Sequence, residues 1–214
     1  MKGICCLAVI VFMLITGCST LFTKREMKLL KEGEGKMRLW TVDVPEEAVF
    51  LRKKARALEM TDMLSDDFQR LKDRMLATVT DTTNPGVGIA APQVGIGGRI
   101  IAVQRFDKEE EPFEFYVNPV ITYYSDAKIC GPEGCLSIPN ARDSVWRSEE
   151  IIVQYMGFER NKNRVETDSV ISIKIKRECV LKTDTVKGFT AVIFQHEIDH
   201  LDGILFTDRI KNKK

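Results

Sequence analysis

Histidine is nearly absent from this chain, with 2 in 214 residues. That excludes a metal centre built from three imidazoles. A catalytic site of the zinc type takes three protein ligands and leaves a position open, so here it must recruit a ligand of another kind. An excess of charge of one sign is missing too. The formal net charge is +1 with 29% charged residues, without the basic stripe that marks a nucleic-acid binder, so nucleic acid is not an expected partner. No internal repeat or low-complexity run occurs. The longest apolar run falls short of the ~20 residues a helical membrane span requires. What remains, a chain that is 44% hydrophobic, is enough for one globular domain with a real core, expected as a monomer.

The N-terminus differs from the rest. Lys2 is followed by an apolar stretch from Ile4 to Ile15 and then by Thr16-Gly17-Cys18-Ser19. A basic start, an apolar middle and a small residue before a cut describe a secretory signal over residues 1–17. Ile15-Thr16-Gly17-Cys18 resembles the lipobox of bacterial lipoproteins. That resemblance implies lipid on Cys18 and a place in the bacterial cell envelope, at the outer membrane or the periplasmic face. The competing readings are a plain N-terminal anchor, or translation from Met27 or Met37, which would leave a cytoplasmic protein. Loss of the signal removes Cys5 and Cys6 and leaves Cys130, Cys135 and Cys179 in the body. An odd number is a poor disulfide framework, so at least one thiol has another task. Residues 18–36 read as a polar tether with a short helix at Lys24–Lys31, and residues 37–214 as the domain.

Ser65-Asp66-Asp67 has the chemistry of a helix start. Phe68, Leu71, Met75, Leu76 and Val79 then recur at helical spacing as core residues, and Asn84-Pro85-Gly86 ends the segment. Arg99–Gln104, Phe113–Val117, Val120–Tyr124, Ile151–Tyr155 and Val170–Lys176 read as strands, the last with Ile171, Ile173 and Ile175 on one face. Asp107–Glu111 reads as a solvated hairpin tip. Phe189, Val192, Ile193, His196 and His200 share one helical face, closed by Gly203. Successive strands with two main helices give an α+β class: mixed or antiparallel strands packed around a central helix that carries both histidines.

Both histidines fall in His196-Glu197-Ile198-Asp199-His200. This H-E-x-x-H spacing puts two imidazoles on one face of a helix, with Glu197 placed to act as a base. The third ligand is expected from Cys135, in Glu133-Gly134-Cys135-Leu136-Ser137, because a thiolate binds iron or zinc strongly. A third stretch, Gly86-Val87-Gly88-Ile89-Ala90-Ala91-Pro92-Gln93, lacks the Lys-Ser/Thr ending of a phosphate loop, which excludes that form of nucleotide binding. Its small residues suit a ligand lying close to the backbone.

Gly86–Gln93, Glu133–Ser137 and Gln195–Leu201, in this order, resemble the three motifs of the peptide deformylase family, over roughly residues 37–210. The resemblance implies that Cys135, His196 and His200 bind one divalent metal and that Glu197 is the general acid/base. It also implies that the Gln93 side chain and the Leu136 N–H hold the oxyanion. Ferrous iron is the first expectation for the metal; zinc, nickel or cobalt can take its place. The implied reaction is hydrolysis of the N-formyl group of formyl-methionyl peptides, with release of formate. Gly88 and Ile89 would lie along the peptide. Ile89, Phe189, Val192 and Ile193 would wall the methionine pocket, with Arg142 holding the peptide and Arg147 as a lesser candidate. Three features depart from the family: Trp146 where Pro is frequent, a longer Asn161–Lys187 segment, and no long C-terminal helix.

An exported copy cannot meet nascent chains at the ribosome. The alternatives are therefore an exported enzyme for another N-acyl group, a generic zinc peptidase, or a lipid-anchored binder of formyl peptides without turnover. Loss of metal outside the cell is further expected to let Cys130 bond to Cys135.

Overall fold

The computed structural model describes residues 22–167 and 170–210, with the side chains of 159–178 outside that description. The signal reading of residues 1–17, Cys18, and the facing of Ile171, Ile173 and Ile175 all lie outside the described residues.

The first described element corrects the expected tether. Helix α1 (Lys24–Lys31) forms where the sequence places it, closed by a reciprocal cap between Thr23 and Glu26. It is not a free linker, because Phe22 is 3% and Leu30 0% exposed. Arg74, buried on a later helix, donates to the carbonyls of Leu29 (3.0 Å), Leu30 (2.8 Å) and Gly35 (3.0 Å). The packed body thus already includes Phe22 and does not start near Met37. Two short helices follow, α2 (Pro45–Leu51) and α3 (Met60–Met63).

Helix α4 (Asp66–Val79) starts as expected, with the Ser65 hydroxyl accepting from Phe68 N–H at 3.1 Å. Phe68, Leu71, Met75 and Val79 are buried, but Leu76 is 36% exposed. It lies one residue, about 100°, from Met75 and so turns toward solvent.

Strands β1 (Gly88–Ala90), β2 (Ile100–Gln104), β3 (Phe113–Tyr124), β6 (Glu150–Thr167) and β7 (Val170–Lys187) form one antiparallel sheet in the order β1-β2-β3-β6-β7. The two strands expected over residues 113–124 are one, with a register shift between Val117 and Val120. Asn118 at φ 50° bends it there, and its side chain bonds the Leu58 N–H (2.9 Å) and carbonyl (2.7 Å). Asp107–Glu111 is the exposed tip between β2 and β3. The extra run in 161–187 belongs to the β6–β7 hairpin, which continues past the last β3 pairing at Met156 to Thr167↔Val170. A separate ribbon pairs β4 (Lys128–Cys135) with β5 (Ile138–Ser148).

Helix α5 (Gly188–Leu201) carries both histidines and ends at Gly203, φ 73°. The sheet is covered on both faces, which the period of two on β2 makes visible. Ile100 and Ala102 face the layer holding Leu30, Leu71, Met75 and Val79, while Ile101 and Val103 face Ala191, Phe194 and Ile198 of α5. Each such buried Val, Leu, Ile, Met or Phe side chain contributes ~1.5–3 kcal/mol. The antiparallel α+β class is the one expected.

Candidate active site

The site forms where α5 meets the end of β4 and the β1 loop. Cys135 stands at a register shift between Gly134 and Cys135 that closes the β4–β5 ribbon. Its Sγ lies 3.2 Å from His200 Nε2. One donor atom each from Cys135, His196 and His200 fall within 4.8 Å of one another, although Cys135 and His200 are 65 residues apart in sequence. Two N–H groups point at the sulfur, from Ser137 (3.4 Å) and from Gln93 Nε2 (3.6 Å).

The chemistry of this donor set fits a divalent transition metal: one soft thiolate and two imidazoles. Burial holds His200 well below its ordinary 6.5, so its ring is neutral and able to ligate. Burial also opposes a charge on His196, but Cys135 and Glu133 beside it prevail and raise it to about 10. Metal binding must displace that proton. Among the described residues, His200 Nδ1, Glu197 Oε2 and Ser137 Oγ are buried without a hydrogen-bond partner. Leaving such atoms unpaired costs ~1–3 kcal/mol each, and the orphaned carboxylate oxygen of Glu197 is what a site completed by solvent requires.

Glu197 is 4% exposed, and burial pushes its carboxyl up to about 7. It has room only because Gly88 has no side chain. A Cβ there would stand 2.6 Å from Glu197 Oε1 and 2.8 Å from Ile193 Cγ2. Gln93 is fixed from the other side, since its Oε1 accepts from Ala90 N–H at 2.8 Å, which leaves its amide hydrogens for the site. Leu136, between Cys135 and Ser137, is half-buried.

Behind the histidines runs a chain of ions, buried except at its outer end at Arg209, that the sequence reading missed. His196 Nδ1 lies 2.9 Å from Glu133 Oε2. Arg147 donates to both Glu133 oxygens at 2.8 and 3.0 Å and to Asp199 at 2.5 Å. Arg209 closes on Asp199 at 2.6 and 3.1 Å. Burial opposes the charge on Glu133, but Arg147 and His196 hold it down at about 2. The lesser substrate candidate Arg147 is therefore an internal ion, 5% exposed. The sequence signals for this chain were Glu133 at the head of the Cys135 motif and Asp199, one turn from His196 on α5.

The expected pocket residues separate. Phe189 (56% exposed) packs against Phe106 with the rings tilted at 46°, Val192 is half-buried, and Ile193 is 4% exposed beside Gly88. Arg142 is exposed on the ribbon opposite Gly134. Ile89 is a correction: its side chain packs into the layer of α4 on the opposite face of the sheet from Ile193. Val87, 37% exposed, stands at the surface there. The Cys130–Cys135 disulfide is also corrected. Both lie on β4, where five residues of extended chain span about 16 Å, and a disulfide needs Cα atoms within about 7 Å.

The family model for polypeptide deformylase matches residues 39–214. The chain belongs to the peptide deformylase family. A peptide deformylase of Symbiobacterium thermophilum is 38% identical over 169 residues, 79% of this chain and 66% of that one. One from Agrobacterium fabrum is 37% identical over 77% of this chain and 83% of its own. Among solved structures, the Met-Ala-Ser-bound class I type b peptide deformylase of Acinetobacter baumannii is 34% identical at a TM-score of 0.64, covering 82% of this chain and 98% of that one. The Thermotoga maritima peptide deformylase matches at 29% and 0.62, covering 83% and 99%. Deformylases are metal-dependent hydrolases of protein biosynthesis, and among the described residues Cys135, His196 and His200 form the cluster that could hold a metal ion.

Proposed function

We propose that this protein is a metal-dependent amide hydrolase that removes the N-formyl group from formyl-methionyl peptides and releases formate. The observation that carries this reading is the buried Glu197 carboxyl beside the Cys135, His196 and His200 donors. Those three residues would hold one divalent ion, iron(II) first, with zinc, nickel or cobalt compatible with the same donors. When bound, the metal supplies Lewis-acid polarisation and the activation of water near neutral pH.

Glu197, poised at about 7, accepts a proton from water and returns it to the leaving nitrogen. The Gln93 amide and the Leu136 N–H donate to the carbonyl oxygen as it gains charge, and they stabilise the tetrahedral state more than the planar one. Ile193, with Glu197 packed against Gly88, keeps the space at the reacting carbon small, which favours a formyl group over acetyl. Phe189, Val192 and Ile193 offer an apolar wall to methionine. Gly88 lets a peptide lie along β1, within reach of Arg142. The chain acts as a monomer, held at the cell envelope by lipid on Cys18, and its substrates are formyl peptides or proteins reached after export. A binder without turnover has no use for Glu197. No helix among the described residues is long and apolar enough to cross a membrane.

The test is formate release from formyl-Met-Ala-Ser by the full chain loaded with iron under anaerobic conditions, beside Glu197→Gln. Release that depends on Glu197 supports the reading; metal bound without release overturns it. A start at Met37 would remove α1 and is the wrong choice for this assay. Intact mass of the mature protein tests Cys18 separately.

A further inference from the structure

Away from the metal site, α1 and the segment after α2 enclose a cleft of about 380 Å³ lined by Arg25, Lys53, Lys54 and Arg56. Glu26 is the one carboxylate in its wall, and its charge is used internally. Arg56 reaches both of its oxygens at 2.9 Å, Gly97 N–H donates at 2.6 Å and Thr23 N–H at 2.8 Å. Arg25 is seated over the Trp40 ring at 4.8 Å, and Lys53 and Lys54 are exposed. With Arg56 paired to Glu26 and Lys54 4.0 Å from Asp202 at the surface, the cleft keeps a surplus of positive charge at Arg25 and Lys53, although the whole chain is nearly neutral at +1.

The second observation is where the chain leads. Thr23, the cap of α1, also lines this cleft. Cys18 lies five residues before it, and the apolar Ile4–Ile15 run before that. Five residues reach at most about 17 Å, so lipid on Cys18 brings the cleft to within about two Debye lengths of a bilayer; an anchor formed by the apolar run, eight residues before Thr23, would hold it within about 28 Å. We propose that the cleft is a membrane-docking surface that receives the phosphate-bearing headgroups of anionic lipids and seats the body on the bilayer. This rests on the reading that the N-terminal segment is anchored. RNA fits less well, because these cations gather in one concavity and form no stripe.

The experiment uses the full chain on vesicles of phosphatidylcholine alone or mixed with phosphatidylglycerol. Flotation with the neutral vesicles reads the anchor by itself. The cleft is read from the acetylation rates of Lys53 and Lys54, mapped by mass spectrometry, and from the preference for anionic over neutral vesicles. We expect both lysines to be protected at least about fivefold on anionic vesicles only, with protection lost in high salt, since each cation near such a surface is worth about that factor. Lys53→Glu with Lys54→Glu should cut the anionic preference at least about twentyfold, with formate release from a soluble peptide unchanged. Equal reactivity on both vesicles overturns the proposal, as does equal protection by inorganic phosphate or an RNA oligonucleotide alone. If the anchor fails on neutral vesicles, the charge-dependent arm still decides the cleft.

Discussion

Glu197 is costly to the fold in the position where it is useful. An acid whose folded value, about 7, exceeds its ordinary 4.5 binds its proton more tightly in the native state. Native stability then falls as pH rises from 4.5 to 7, and the cost is fully present above 7. Metal-free Glu197→Gln should therefore be more stable than metal-free wild type at pH 8, by on the order of 3 kcal/mol, and no more stable at pH 4; urea unfolding at both values checks this. Glu133 has the opposite sign. Held at about 2, it stabilises the native state above 4.5 and loses that contribution as pH falls toward 2. Glu133→Gln leaves Arg147 buried without its main partner, which costs ~3–5 kcal/mol. It also frees the His196 ring, which should weaken metal binding ~10–100-fold in a chelator competition. Gly88→Ala puts a methyl group 2.6 Å from Glu197 Oε1. Metal should stay bound while kcat falls on the order of a hundredfold, as for a displaced catalytic group.

At the scale of elements, α5 joins the layers: its apolar residues pack on the sheet while His196, Glu197 and His200 serve the site. Helix α1 depends instead on Arg74, which gathers the carbonyls at its C-terminal end. Arg74→Ala should cost ~2–4 kcal/mol through the unpaired carbonyls. Limited proteolysis should then cut first between residues 22 and 37, with formate release per folded molecule retained. Early loss of activity without cleavage there would refute this division of labour.

For the molecule as a whole, the donors of Cys135, His196 and His200 come within 4.8 Å of one another only in the folded chain, which couples metal binding to stability. A ligand at about 1,000 times its Kd adds ~4 kcal/mol, which at this chain length corresponds to on the order of 10 °C in Tm. Calorimetry with and without a chelator should show that difference, and Cys135→Ala should abolish it. Equal Tm values in wild type would mean that the three donors do not form a metal site.

Whatever is periodic or local could be read from the residues alone. The i, i+4 histidines, the Ser65 cap, the Gly203 stop, the extent of α1 and the antiparallel class were all legible, because each depends on neighbours within a turn or a strand. The three motifs also indicated Cys135 and Gln93, which the structure brings within 3.6 Å of each other. Which distant groups share an environment became visible with the fold. Arg147 meets Asp199 from 52 residues away, and Arg74 meets Leu30 from 44. That is why Arg147 reads as a substrate contact, and α1 as part of a tether, until the fold is known. Ile89 lies next to Gly88, yet its side chain belongs to the other face of the sheet, because alternation along a strand does not say which face meets the ligand.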